Sequence, residues 1–118
     1  MIKVYVAGAY SADNIFEMFE NVWKGLEMST ELFNRGYAPF VCVTDLHFCL
    51  MKKPEHELTI EKFYNYSIAW LLVSDVMLVL PGFENSRGTL KEIDIANEKG
   101  IPIFYTLKDL EIYRIAVH

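Results

Sequence analysis

Residues Asp75–Ile93 read DVMLVLPGFENSRGTLKEI: an unbroken apolar run, a loop rich in Pro, Gly, Asn and Ser, then a pattern of helical spacing. An apolar run without alternation is what a strand covered on both faces requires, as in the middle of a parallel sheet. A loop carrying it directly into a helix is half of a βαβ unit. The same alternation extends both ways along the chain. Upstream, Lys3–Gly8 (KVYVAG) is a short β-rich run ending in a glycine turn, and Ser11 to Asn14 offer helix N-caps. From Ile15 to Arg35 apolar residues recur at helical spacing, and Gly36 stands where a C-cap is expected. Tyr37–Val43 (YAPFVCV) is the second strand, with Pro39 favouring an edge position. A long loop with room for one helical turn leads to a second helix over about Thr59–Val73. Downstream of the opening stretch, the helix beginning at Gly88 runs to Lys99 and closes at Gly100. IPIFYT (101–106) is the fourth strand and KDLEIYRIAV (108–117) a terminal helix.

This pattern, with roughly 20–40 residues per unit, predicts an α/β domain over residues 1–118. The expected form is a flavodoxin- or Rossmann-like three-layer sandwich with a four- to five-stranded parallel sheet. With strand order 2-1-3-4 the topological switch falls between strands one and three, and ligands of such sheets bind at the carboxyl ends beside it. Those ends are Gly8-Ala9-Tyr10-Ser11 and Pro81–Gly88. The composition fits: 53% of the 118 residues are hydrophobic against 23% charged, enough for a core and against disorder. A net charge of −5 without a Lys/Arg run disfavours a nucleic-acid polymer or an anionic membrane as partner. No signal peptide precedes MIKVYVAG, and the longest apolar stretch, Ile68–Leu80, is interrupted and short, so a cytoplasmic protein is expected. Cys42, His47 and Cys49 match no standard zinc spacing, and neither a dinucleotide fingerprint nor a Walker A motif is present. No metal or cofactor is expected.

Several residues at the predicted sheet edge can do chemistry. Ser86 or Asn85 can cap the helix, whose first N–H groups then form an anion site. Gly88 precedes Glu92 by four residues on the same helix face and has no side chain to block it, so the carboxylate can reach a ligand at the helix start. Positions 88, 95 and 96 are Gly, Ile and Ala, so no local salt bridge accounts for Glu92, although a surface glutamate on a capped helix fits the same pattern. Asp45 and His47 follow the second strand; His47 is read either as a proton or hydrogen-bond donor or as a solvated loop histidine. Tyr5, inside the first strand, needs a hydroxyl partner if buried, and a carboxylate beside that strand would serve. Asp75 is read as a turn residue at the far end of the sheet, and Trp70 as core.

VYVAGAY near the start and DVMLVLPGFENSRGTLKEI, with its S-x-G-x-x-x-E core, resemble the nucleoside 2-deoxyribosyltransferase superfamily. That superfamily includes deoxynucleoside 5′-monophosphate N-glycosidases, and the likeness is strongest to a branch of small, often phage-associated proteins. The resemblance covers most of the chain and is tightest over residues 64–105. It implies Glu92 as the nucleophile attacking the anomeric carbon and Tyr5 as the tyrosine holding that carboxylate. Ser86 and Gly88 match positions that bind a sugar hydroxyl or 5′-phosphate, in some members from a neighbouring subunit, and His47 matches a loop histidine. One departure is visible. Members with demonstrated chemistry often carry an aspartate three residues before the second-helix tryptophan, and here that position is Ser67, whose hydroxyl is no acid of suitable strength. Either Asp45 or His47 substitutes for it, or the protein binds a nucleotide without cleaving it efficiently.

Two functions are therefore expected. One is cleavage or transfer of the N-glycosidic bond of a nucleoside, deoxynucleoside or 5′-monophosphate; the other is a non-catalytic nucleotide-binding or sensing module. The expected partner in both is a small nucleoside or nucleotide. The high apolar fraction and the shared sites of the resembled family further predict a homo-oligomer, with Phe16, Phe19, Trp23 and Met28 of the first helix as its contact face.

Overall fold

The computed structural model describes residues 1–117, Val43 and Thr44 by their backbone alone. Its elements are β1 (Lys3–Ala7), α1 (Ile15–Asn34), β2 (Ala38–Val41), a 3-10 turn (Cys42–Asp45), α2 (Leu46–Leu50), α3 (Ile60–Leu72), β3 (Val76–Val79), a second 3-10 turn (Phe83–Asn85), α4 (Arg87–Glu98), β4 (Ile103–Phe104) and α5 (Leu107–Val117). The four described strands are parallel in the order β2-β1-β3-β4. β1 aligns Tyr5 with Phe40 on one side and with Met77 on the other.

Local chemistry sets most boundaries. Asn14 Oδ1 accepts from the Glu17 N–H at 2.9 Å and opens α1. Thr59 Oγ1 accepts from the Lys62 N–H at 3.1 Å and opens α3. Gly36 follows α1 at φ 90°, a left-handed turn that a side chain would strain.

Because side chains alternate across a strand, β1 feeds two cores. Val4 and Val6 join Leu32 of α1, Val76 and Leu78 of β3 and Leu110 of α5. Tyr5 and Ala7 join Met77 and Val79 of β3, Leu71 of α3, and Ile93 and Ala96 of α4. Helices therefore cover both faces, α1 and α5 on one and α3 and α4 on the other, the three-layer arrangement expected. Asp75, at the amino end of β3, accepts the Lys3 N–H at 2.8 Å and so ties the far end of the sheet.

The structure corrects several local expectations. β2 ends at Val41, because the chain tightens there into the Cys42–Asp45 turn; the helical turn expected in the following loop is α2. β4 has two residues: the Ile101 N–H is taken by Ala96 O at 2.8 Å, and Thr106 Oγ1 accepts from the Asp109 N–H to start α5, leaving little chain for pairing. Trp70 is half exposed rather than core, since it stacks on Phe40 of the edge strand β2 at 5.5 Å. On α1, Phe16, Phe19 and Trp23 are exposed, but Met28 is part-buried against the core. Among the described residues no helix is long and apolar enough to cross a membrane.

Candidate functional site

At the carboxyl edge of the sheet lies a cleft of about 550 Å³. Its walls come from the ends of β1 and β2, from one face of α3 and from the first turns of α4. The site opens where β1 separates from β3, and Gly8 keeps that corner tight: a Cβ there would lie 3.1 Å from Leu80 Cδ1 and 3.2 Å from Leu80 Cβ.

The α4 wall is built by its cap. Ser86 Oγ accepts from the Thr89 N–H at 3.3 Å and from the Thr89 hydroxyl at 2.9 Å, so Ser86 itself takes the N-cap position and Asn85 ends the preceding turn. With both contacts accepted, the Ser86 proton remains available to a ligand. A Cβ placed on Gly88 would meet nothing within 4 Å, which leaves open space one helical turn in front of Glu92. Among the described residues the two buried Ser/Thr side chains are Ser67 and Thr89, and both line this cleft.

Glu92 is part-buried, and Tyr5, with no exposed surface, lies behind it. Burial pushes the Glu92 carboxyl above the usual carboxylate range, while the Tyr5 hydroxyl, a donor to its charged form, pulls it back. The phenol responds in the opposite sense. Burial first, and then the neighbouring Glu92 charge, lift Tyr5 far above an ordinary tyrosine, so it stays protonated and remains a donor. The contact is not a closed hydrogen bond: Tyr5 Oη and Glu92 Oε2 are both buried with no fully formed partner among the described residues. A carboxylate oxygen inside a cleft with spare hydrogen-bonding capacity is a reactive arrangement.

Gly8, Tyr10 and Asp45 line the cleft from the β1 and β2 side. Ser67, Asn85, Ser86, Gly88 and Glu92 line it from the α3 and α4 side. Of the remaining residues singled out in the sequence, Ala9 lies outside the lining, and His47 is exposed on α2, also outside it. The sequence reading missed Cys42, Phe63, Tyr64 and Thr89. Ile60, Phe63, Tyr64 and Ser67 recur at helical spacing, so the stripe was visible once Ser67 was suspected. Cys42 is a neutral wall: burial and the Glu92 and Asp45 carboxylates push its thiol up to about 12. The carboxyl and guanidinium groups of the lining are those of Glu92, Asp45 and Arg87.

A second hollow, of about 600 Å³, lies on the other face between α1, the end of β3 and α5. Its Arg35 is engaged by Glu31 at 2.6 Å and by Glu111 at 3.2 Å, and it contains no buried polar residue comparable to Ser67 or Thr89.

No curated protein matches the chain at a significant level. Among solved structures, the 2-deoxyribosyltransferase of the psychrotolerant bacterium Bacillus psychrosaccharolyticus shares its fold at a TM-score of 0.63 and 16% identity, over 86% of this chain and 69% of that protein. A conserved protein from Enterococcus faecalis V583 aligns at a TM-score of 0.62 and 19% identity, over 87% of this chain. The chain spans 61% of that second protein's length. At such identities the likeness establishes the shared fold. Sequence establishes the family: matched over residues 2–105, the chain belongs to the domain of unknown function DUF4406.

Proposed function

We propose that the chain cleaves or transfers the N-glycosidic bond of a nucleoside, deoxynucleoside or nucleoside 5′-monophosphate, with Glu92 as nucleophile. The observation that carries this reading is the Glu92 carboxylate, part-buried in a cleft at the carboxyl edge of the sheet with the buried Tyr5 hydroxyl behind it. A desolvated carboxylate is a stronger nucleophile than a hydrated one, and a phenol donor keeps it ionised. Attack on the anomeric carbon through an oxocarbenium-like transition state gives a glycosyl ester, which water or a second base then releases. Phe63 and Tyr64 offer aromatic surface for the base. The Ser86 hydroxyl, the Gly88 backbone and the positive end of α4 suit a sugar hydroxyl or a phosphate. The fold shared with a 2-deoxyribosyltransferase supports the same reaction class.

We further propose a cytoplasmic homo-oligomer, joined through the exposed aromatic side chains of α1, Phe16, Phe19 and Trp23. A monomeric mass by light scattering at micromolar concentration would contradict the assembly without touching the chemistry.

One observation favours a second reading, a nucleotide-binding module without turnover: Ser67 occupies the cleft where the resembled enzymes often carry an acid. Incubation with a panel of nucleosides, deoxynucleosides and 5′-monophosphates separates the two. The proposed enzyme releases free base from at least one of them, and Glu92→Gln does not. Thermal stabilisation by panel members with no base released would favour the binding module.

A further inference from the structure

A nucleobase is a poor leaving group unless a proton reaches its nitrogen as the bond to C1′ breaks. Resting on the glycosidic reading of the cleft, we propose that Asp45 is the acid that delivers this proton, in place of a residue on α3. Asp45 and Glu92 are the two carboxylates among the described residues that line the cleft. They arrive from different sides: Asp45 follows β2, Glu92 stands on the helix after β3, and β1 lies between those strands. One can therefore reach the departing base while the other reaches the sugar.

The other proton-bearing groups of the lining fit less well, since hydroxyls, phenols and thiols are by nature weaker acids than a carboxyl. Ser67 has only a hydroxyl, and an arginine guanidinium such as Arg87 does not give up its proton. Burial lifts Tyr10 and Tyr64 above an ordinary phenol, and Cys42 is pushed up to about 12. His47 stands outside the lining. Asp45 also occupies the N-cap position of α2, yet its carboxylate makes no capping hydrogen bond. A side chain of the type best suited to a cap is thus left to face the cleft. Burial raises its pKa, against smaller opposing effects of its own backbone and of His47, which favours the protonated form that an acid needs.

The step balances. A Glu92 oxygen forms a bond to C1′, and the C1′–N electron pair passes to the base nitrogen, which takes the Asp45 proton. The base departs neutral and Asp45 is left ionised. Water then attacks C1′ and yields a proton to the Asp45 carboxylate, and Glu92 leaves as a carboxylate.

The test compares two probes, each as nucleoside and as 5′-monophosphate: 2′-deoxyguanosine and its N7-methylated cation. The methylated base already carries the positive charge and leaves neutral without a proton. Asp45→Asn should lose about 10²- to 10⁴-fold in guanine release from the first probe and change little on the second. Asp45→Glu, which keeps an acid, should recover part of the lost rate, and Glu92→Gln should stop release from both. Equal losses on both probes in Asp45→Asn would overturn the assignment by showing a structural role, and so would no loss on either. A wild type inert on both probes and on every nucleoside, deoxynucleoside and 5′-monophosphate of the panel would overturn the glycosidic reading itself, a different failure from that of Asp45. Should the Asn variant not fold, Asp45→Ser carries the same contrast.

Discussion

The two faces of the sheet are built from alternate residues of the same strands and do opposite things. The face under α1 and α5 receives Val4, Val6, Val76 and Leu78, all buried and all apolar, and closes around Leu32 and Leu110. The face under α3 and α4 receives Tyr5, Ala7, Met77 and Val79 and admits polar groups: the Tyr5 hydroxyl, Ser67, Thr89 and, at its rim, Glu92. A core that needs only stability avoids such groups, because each buried polar atom without a partner costs about 1–3 kcal/mol. Among the described residues the buried side-chain atoms without a formed partner are Tyr5 Oη and Glu92 Oε2, which meet at the cleft, and Tyr37 Oη on the opposite face. The Tyr37 ring lies 4.3 Å from the Arg114 guanidinium. Two such atoms side by side where the cleft opens are a sign of a site.

That contrast is sharpest when each face is cut separately. Glu92→Gln keeps the shape and removes the charge, so base release should fall on the order of 10⁴-fold or more. Its effect on stability should run the other way. Burial raises the Glu92 pKa in the folded protein, so its contribution to stability is present below the unfolded carboxylate pKa and is lost as pH rises through the folded value. The Gln variant escapes that loss, and melting curves across this range should show wild type falling relative to it. A Gln variant that melts below wild type at neutral pH would return Glu92 to a structural role.

On the other face, Leu32→Ala should cost about 2–5 kcal/mol by leaving a cavity in a fully buried position. Its folded fraction should keep the wild-type rate and pH profile. A changed pH profile would show that the two faces are coupled more closely than the sheet between them implies.

Tyr5→Phe cuts the link between the site and its core. Removing a donor to a charged group should slow turnover roughly 10- to 100-fold. Activity requires ionised Glu92, so it rises with pH through the folded Glu92 pKa; without the phenol that lowers this pKa, the rising limb should move to higher pH. Cys42 and Tyr64 also lie near the carboxylate, but the donor that lowers its pKa is the Tyr5 hydroxyl, so they should not replace the phenol. Stability should change little, since the lost hydroxyl has no fully formed hydrogen bond. An unmoved pH limb would remove Tyr5 from the account.

The smallest effect belongs to Gly88. Nothing lies within 4 Å of a Cβ placed there, so Gly88→Ala should fold normally and gain up to about 1 kcal/mol of helix propensity. The same methyl projects into the cleft, so the variant should bind substrate more weakly despite melting higher. Unchanged affinity would place the ligand elsewhere.

The features legible in the sequence were those decided within one turn or one unit of chain. The Ser11–Asn14 and Asn85–Ser86 stretches that hold the caps Asn14 and Ser86 follow from local hydrogen bonding, and the Gly88–Glu92 relation follows from helical spacing. The strand order follows from alternating elements and right-handed crossovers. What stayed hidden depends on direction and neighbours. Asp45 and His47 stand two residues apart, and the sequence alone puts both at the same edge of the sheet. They flank the start of α2, where residues two apart point about 200° from each other, so Asp45 turns to the cleft and His47 away. Trp70 reads as core by composition, but its exposure is set by the edge position of β2 beneath it. Cys42 reads as part of an apolar strand, and only the early end of β2 brings it to the cleft.

The bond that the Glu92 carboxylate is proposed to form with the sugar is open to direct observation. A 2′-fluorinated arabinonucleoside slows release of a glycosyl ester, because fluorine disfavours the oxocarbenium-like transition state. After incubation with such compounds, mass spectrometry of the protein should show one added sugar, mapped to the α4 segment at Glu92 and missing in Glu92→Gln. A sugar adduct that persists in Glu92→Gln, or base release by wild type at full rate with no adduct under any trapping condition, would contradict the claim.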